Sequence, residues 1–201
     1  MKAFVTGGAG FIGSHLVEEL LSRGWRVVVL DNLSTGTLEN LEQVRKNPNL
    51  KFIRGDCLSQ RDLERSMEGC EIVFHLAANP EVRIGAVNPS VDLEQNVIAT
   101  FRVLEVMRKL GINKIVFTSS STVYGDAEIV PTPENVPPRP ISTYGASKLA
   151  CESLISSYCH CFDFSALVFR FANIVGARSK HGVIWDFIQK LRRNPHELEI
   201  L

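Results

Sequence analysis

Tyr144-Gly-Ala-Ser-Lys148 sets a phenol and an ammonium four residues apart, which on a helix places both on one face, one turn from each other. Such a pair suits proton abstraction. A free phenol titrates near pH 10, and bringing it to about 7 takes roughly 4 kcal/mol, part of which an adjacent ammonium supplies. Alone, the pattern is a common accident, so its neighbours carry the weight. Residues 118–125 read TSSSTVYG, a hydroxyl run whose members hold a substrate oxygen without carrying charge. Residues 4–16 read FVTGGAGFIGSHL: Gly8-x-Gly10-x-x-Gly13, preceded by Gly7, follows an apolar run and opens a helical pattern. Bare backbone at such a turn meets a diphosphate at a helix N-terminus. Asp31, eighteen residues past Gly13, stands where a carboxylate accepts the ribose hydroxyls of an adenosine half. A 2′-phosphate about 4 Å from it would cost several kcal/mol at an effective dielectric near 20, so the reading favours NAD over NADP. An oxidised nicotinamide would then add its positive charge to that of Lys148 in drawing down the Tyr144 phenol.

Short β-branched runs alternating with amphipathic stretches are the elements that must position these groups. The pattern predicts strands at 2–6, 26–30, 51–54, 71–75, 113–118 and 164–169, and helices at 11–23, 38–46, 60–68, 89–110 and 143–160. The strands are apolar on both faces, as burial under helices on each side requires. Gly24 and Gly111 fall just past predicted helix ends, where a left-handed cap is expected. PTPENVPPRP, residues 131–140, excludes helix and central strand and reads as a surface loop. The fold class is therefore α/β, a Rossmann-type doubly wound parallel sheet. Its strand ends deliver the hydroxyl run to the ligand crevice.

Composition limits the partners. Twenty-two basic residues balance twenty-two acidic ones, so no global field recruits nucleic acid or a membrane surface. No apolar run approaches the roughly 20 residues of a spanning helix. Five cysteines without framework spacing suit free thiols in a reducing cytoplasm. Cys159-His160-Cys161 offers no metal site, because residues i and i+2 of a helix point apart.

Taken in order, VTGGAGFIGSHL, LDNLS, the Gly55-Asp56 pair, VFHLAA at 73–78, SSSTVYG, YGASK and FRFANIVG at 169–176 mark a chain that resembles the extended short-chain dehydrogenase/reductase family. Within it the likeness is to the NAD-dependent epimerase/dehydratase group, above all the epimerases that invert C4 of a UDP-sugar. The resemblance runs along essentially the whole sequence. It implies that Gly7, Gly10, Phe11, Ile12 and Gly13 form the phosphate loop of an NAD site. It further implies that Asp31 and Asn32 hold the adenosine ribose, and that Asp56 and Cys57 border the adenine. Leu76, Ala77 and Ala78 would line the middle of the cofactor, and Asn96 would buttress it. Ser120, Tyr144 and Lys148 match the family's catalytic set, with Tyr144 and Lys148 also touching the cofactor; Ser120, Tyr144 and Asn173 would contact the sugar nucleotide. The implied reaction is inversion at C4 through a transient 4-keto sugar. Other sugar-nucleotide reactions of the same scaffold (glucuronate epimerisation or decarboxylation, dehydration, reduction) and a non-catalytic NAD-binding module are the alternatives.

The departures from the family pattern inform as well. Its 4,6-dehydratases carry Asp-Glu directly after the catalytic threonine, where this chain has Ser121 and Thr122, so dehydration lacks its acid/base pair. Family members run longer. The expectation is a complete NAD-binding domain at 1–171 and only the beginning of a smaller C-terminal substrate lobe at 172–201. The resemblance also implies a homodimer through the helices at 89–110 and 143–160, whose stripes of Val97, Phe101, Leu104 and the Arg108 stem, and of Leu154, Ile155 and Tyr158, look wide for one-sided burial.

Overall fold

Alternation along the strands sorts the core into two halves. Phe4, Val28 and Leu30 point to one face of the sheet and join one buried cluster, whereas Ala3, Val5, Val27 and Val29 point to the other and join a second, as a period of two dictates. In this computed structural model, which describes residues 1–180 and 182–200, six strands form one parallel sheet: β1 (Lys2–Thr6), β2 (Arg26–Asp31), β3 (Leu50–Arg54), β4 (Ile72–His75), β5 (Lys114–Ser120) and β6 (Ser165–Phe171). Their spatial order is β3-β2-β1-β4-β5-β6. The chain reverses its winding between β1 and β4, so a crevice opens there at the strands' carboxyl ends.

Each helix has a local cause. The first, α1 (Phe11–Ser22), starts at Gly10, whose backbone is extended, and buries Val17, Leu20 and Leu21. Ser59 caps α2 (Gln60–Met67), its hydroxyl accepting from the Asp62 amide; such a cap is worth about 1 kcal/mol. After a short α3 (Val82–Val87), Pro89 opens a continuous helical run. It consists of α4 (Pro89–Asp92), a wider π turn over Leu93–Ile98, and α5 (Ala99–Leu110), which Gly111 ends in the left-handed region at φ +70°. Ser142 caps α6 (Thr143–Phe162), and α7 (Val183–Arg193) follows the last strand. Leu63 and Met67 of α2, Val103, Leu104 and Met107 of α5, and Cys151, Ile155 and Tyr158 of α6 fill the first cluster; α1 covers the second.

The differences from expectation have physical reasons. The helix predicted at 38–46 is only a 3₁₀ turn, Leu38–Leu41. The segment is tied sideways to the glycine loop instead: the Thr37 amide and the Asn40 side chain both donate to the Ala9 carbonyl, at 3.1 and 2.8 Å. Two helices went unpredicted. The brevity of α3 hides it, whereas Val183, Ile184, Phe187, Ile188 and Leu191 of α7 do repeat at helical spacing. The predicted dimer stripes are also corrected, because Leu104, Ile155 and Tyr158 lie in the core and Arg108 pairs with Glu105. On those helical runs Leu93, Ile98, Phe101, Leu110 and Phe162 are the exposed large apolar residues.

Candidate active site

The crevice above the β1/β4 switch point encloses about 1100 Å³. Gly7 turns the chain at φ +69°, and a methyl group there would come within 2.8 Å of the Ala77 amide nitrogen, so the glycine loop and the Leu76–Ala77 backbone pack face to face. Gly10 leaves the start of α1 without a side-chain cap, which opens first-turn amides to the crevice beside Phe11 and Ile12. Two glycines do other work. A β-carbon on Gly8 would strike Val29 at 2.7 Å, and one on Gly13 would come within 2.1 Å of the Gly7 carbonyl oxygen. The spacing that faces the crevice is thus Gly7 and Gly10, with Gly8 and Gly13 letting sheet, loop and helix close up behind them.

Asp31 ends β2 and borders the crevice. Its carboxylate accepts the Ala9 amide at 2.9 Å and the Leu33 amide at 2.8 Å. Burial raises its pKa, with those two bonds opposing. Asn32 donates to Asp56 at 2.9 Å, and Asp56 accepts the Leu58 amide at 2.8 Å; together with Cys57 they close the end of the crevice nearest β3. Leu76, Ala77 and Ala78 line its middle. Asn96 stands behind it: its carboxamide accepts the Asn79 amide at 2.9 Å and donates to Ser147 at 2.8 Å. Its backbone carbonyl, which accepts the Ala99 amide, also accepts the Cys151 thiol at 3.4 Å.

Ser120, Tyr144 and Lys148 meet at the other end of the crevice. Ser120 closes β5 and its hydroxyl accepts the Thr122 amide at 3.2 Å. Tyr144 lies in the first turn of α6 and Lys148 one turn later, its Nζ 5.8 Å from the Tyr144 ring centroid, 5.0 Å from that of Phe117, and donating to the Thr118 carbonyl at 2.9 Å. Burial pulls the Lys148 pKa down to about 8. The Tyr144 phenol is shifted upward. Its pKa lies above the ordinary 10, first because burial desolvates the phenolate and then because the Asp92 carboxylate is near, while a hydrogen bond with Ser120 works the other way. Lys148 alone does not lower it; a cationic ring above the pair would have to do the rest.

Sequence reasoning missed several neighbours. Asp92 is 1% exposed and accepts from Asn79 and from Thr143, the first residue of α6. Below the crevice, Thr6 accepts the Leu76 and Ala77 amides and pairs with His75, whose other ring nitrogen meets Thr100; burial lowers the His75 pKa to about 3. Asn173 borders the crevice, and so do Arg178 and the face of α7. Arg178 reaches Ser14 at 3.0 Å and Glu18 at 2.5 Å on α1. No signal in the sequence joins residues so distant.

First-turn amides for a diphosphate, a carboxylate at the tip of β2 and a Ser–Tyr–Lys set one strand over define a dinucleotide-dependent protein of the short-chain dehydrogenase/reductase type, and the donor set fits NAD. The sequence matches the NAD dependent epimerase/dehydratase family over residues 3–201, and the chain belongs to that family. It is 39% identical over 186 residues to the UDP-glucose 4-epimerase of Mycolicibacterium smegmatis, covering 90% of this chain and 59% of that protein. Among solved structures, a UDP-galactose 4-epimerase is 50% identical with a TM-score of 0.87, covering 98% of this chain and 65% of the other. A dTDP-glucose 4,6-dehydratase from Streptomyces venezuelae, solved with NAD, is 32% identical with a TM-score of 0.91, covering 96% and 62%. The chain thus spans about three fifths of the length of such relatives.

Proposed function

We propose that the protein inverts C4 of a UDP-sugar, interconverting UDP-glucose and UDP-galactose. The observation that carries this reading is the meeting of Ser120, Tyr144 and Lys148 in the crevice that also holds the glycine loop and Asp31. NAD, when bound, supplies the acceptor for the C4 hydrogen and the positive ring that the Tyr144 phenol needs. Tyr144 takes the proton of the 4-hydroxyl. Ser120 donates a hydrogen bond to the oxygen as it becomes a ketone and holds it through the return step. Lys148, charged below about pH 8, keeps the phenolate accessible and binds ribose hydroxyls. A positioned base of this kind contributes about 10² to 10⁴ in rate. Ser121 and Thr122, standing where the dehydratases have Asp-Glu, support epimerisation over loss of water.

Residues 1–171 act as the cofactor lobe, and 172–201 begin the substrate lobe, with Asn173 against the sugar nucleotide. Leu93, Phe101, Leu110 and Phe162 form the seam of a homodimer, and the free thiols suit a cytoplasmic enzyme. No described helix is long and apolar enough to cross a membrane.

The test is a coupled assay of the full-length protein, with UDP-galactose as substrate and NADH formation by UDP-glucose dehydrogenase as the signal. UDP-glucose is the expected product. Release of water to give a 4-keto-6-deoxy sugar would assign the chain to the dehydratases instead.

A further inference from the structure

Tyr144, Lys148 and Glu152 repeat every four residues on α6, so they share one stripe of the helix. The first two face the crevice; the third turns to the strands beside it. Glu152 accepts the Ser119 hydroxyl at 2.5 Å and is held bidentately by Arg170 of β6, with Nε at 3.0 Å and Nη2 at 2.7 Å. The remaining Arg170 nitrogen donates to the Tyr124 phenol at 2.7 Å and to the Glu134 carbonyl at 3.2 Å, and the guanidinium lies 4.8 Å from the Tyr124 ring centroid. One fork-shaped cation therefore joins α6, β6, the turn after Ser120 and the proline-rich loop. The pair is well placed to hold its geometry, since the Glu152 and Arg170 side chains are 12% and 24% exposed and the contact is a charge-assisted fork.

Ser119 and Ser120 are successive residues of β5 and point to opposite faces. A bond that ties Ser119 toward α6 thereby fixes which way Ser120 points. Tyr124 closes the same turn from its far side, because the hydroxyl end of its ring is held by Arg170 while the Gly125 amide bonds to the Thr122 carbonyl.

We propose that Glu152 and Arg170 are positioning residues that fix the Ser120 turn against the Tyr144 end of α6. The proposal rests on the reading of Ser120 as the hydroxyl that holds the sugar oxygen. Two observables separate the two ideas. The first is amide hydrogen exchange at Thr122 and Gly125, whose bonds to Ser120 and Thr122 report the turn directly; the second is turnover. In the full-length protein, Glu152→Gln is expected to speed exchange at both amides at least tenfold. It should also lower kcat at least tenfold, with KM and NAD affinity within twofold of wild type. Ser119→Ala, which leaves the Glu152–Arg170 pair intact, is expected to do the same to a smaller extent. The double variant should be no worse than Glu152→Gln. If exchange at Thr122 and Gly125 stays at the wild-type rate while only the melting temperature falls, the role is merely structural and the proposal is overturned. Should Glu152→Gln fail to fold, Ser119→Ala decides by the same exchange measurement. If the wild-type protein turns over neither UDP-sugar, the epimerase reading falls on its own, and exchange still decides whether these residues set the turn.

Discussion

Replacing Lys148 by Met should make the fold more stable while removing function. The lysine is 3% exposed, and burial lowers its pKa from 10.5 to about 8. Below about pH 8 the ammonium is charged in both folded and unfolded chains, so folding bears the desolvation cost in full. At 1.36 kcal/mol per pH unit that cost is about 3 kcal/mol. Between about 8 and 10.5 the folded chain releases its proton while the unfolded chain keeps it, and stability rises with pH; above 10.5 the cost is gone. Met removes the cost but forfeits the bond to the Thr118 carbonyl, worth about 1 kcal/mol. Lys148→Met should therefore gain about 2 kcal/mol near pH 7, and its advantage should shrink through pH 8 to 10.5 and end slightly negative. Urea unfolding without NAD, run at several pH values for both proteins, measures this. A stability difference independent of pH would refute the reasoning, since only the titration of a buried ammonium makes it slope.

Tyr144→Phe keeps the ring and should leave NAD affinity unchanged while full-length turnover falls about 10² to 10⁴-fold; isothermal calorimetry beside the coupled assay separates the two. Asp31→Asn should narrow the preference for NAD over NADP, of which charge repulsion supplies up to about 4 kcal/mol at an effective dielectric near 20; fluorescence titration with both nucleotides reads it. Gly13→Ala would put a methyl group 2.1 Å from the Gly7 carbonyl, so the loop must shift; a thermal melt lowered by several degrees together with weakened NAD binding is expected. His75, with a pKa near 3 when folded against an ordinary 6.5, must stay neutral in the fold, so stability contributed above pH 6.5 is lost progressively as pH falls toward 3. His75→Asn should flatten that acid limb of an unfolding curve measured at several pH values.

The parts of the site that were legible are those that local spacing controls. Tyr144 and Lys148 lie one helical turn apart in a capped helix, and Asp31 sits at a strand end beyond a glycine turn, so sequence distance and spatial distance agree. Gly8 and Gly13 belong to the same motif, yet their packing roles depend on Val29 and on the Gly7 carbonyl, which only the folded sheet brings near. Arg170 and Glu152 are 18 residues apart and Arg170 and Tyr124 are 46 apart, and no periodicity announces such a fork. The dimer stripe misled for a related reason: an apolar residue at helical spacing reads alike whether it meets the sheet or a partner, and Leu104 and Ile155 meet the sheet. The segment at 38–46 failed as a helix because two bonds to Ala9 offered its backbone a better arrangement.

The π turn at Leu93–Ile98 carries a consequence for how such a chain can change by insertion and deletion. A π turn holds one residue more than the α turn it replaces, so it behaves as an insertion that the helix has absorbed. Removing a single residue there would let the run from Pro89 to Leu110 close as an ordinary α-helix. The residues of α5 and those on the amino-terminal side would both keep their places, since the extra residue is the one the turn had absorbed. Only the turn itself would narrow, and Asn96, which lies within it, would lose its line to Asn79 and Ser147. A one-codon deletion at this point is thus a mutation that spares the fold and disables the crevice, and the reverse insertion is a single step by which an ordinary helix acquires a buttress for a ligand site.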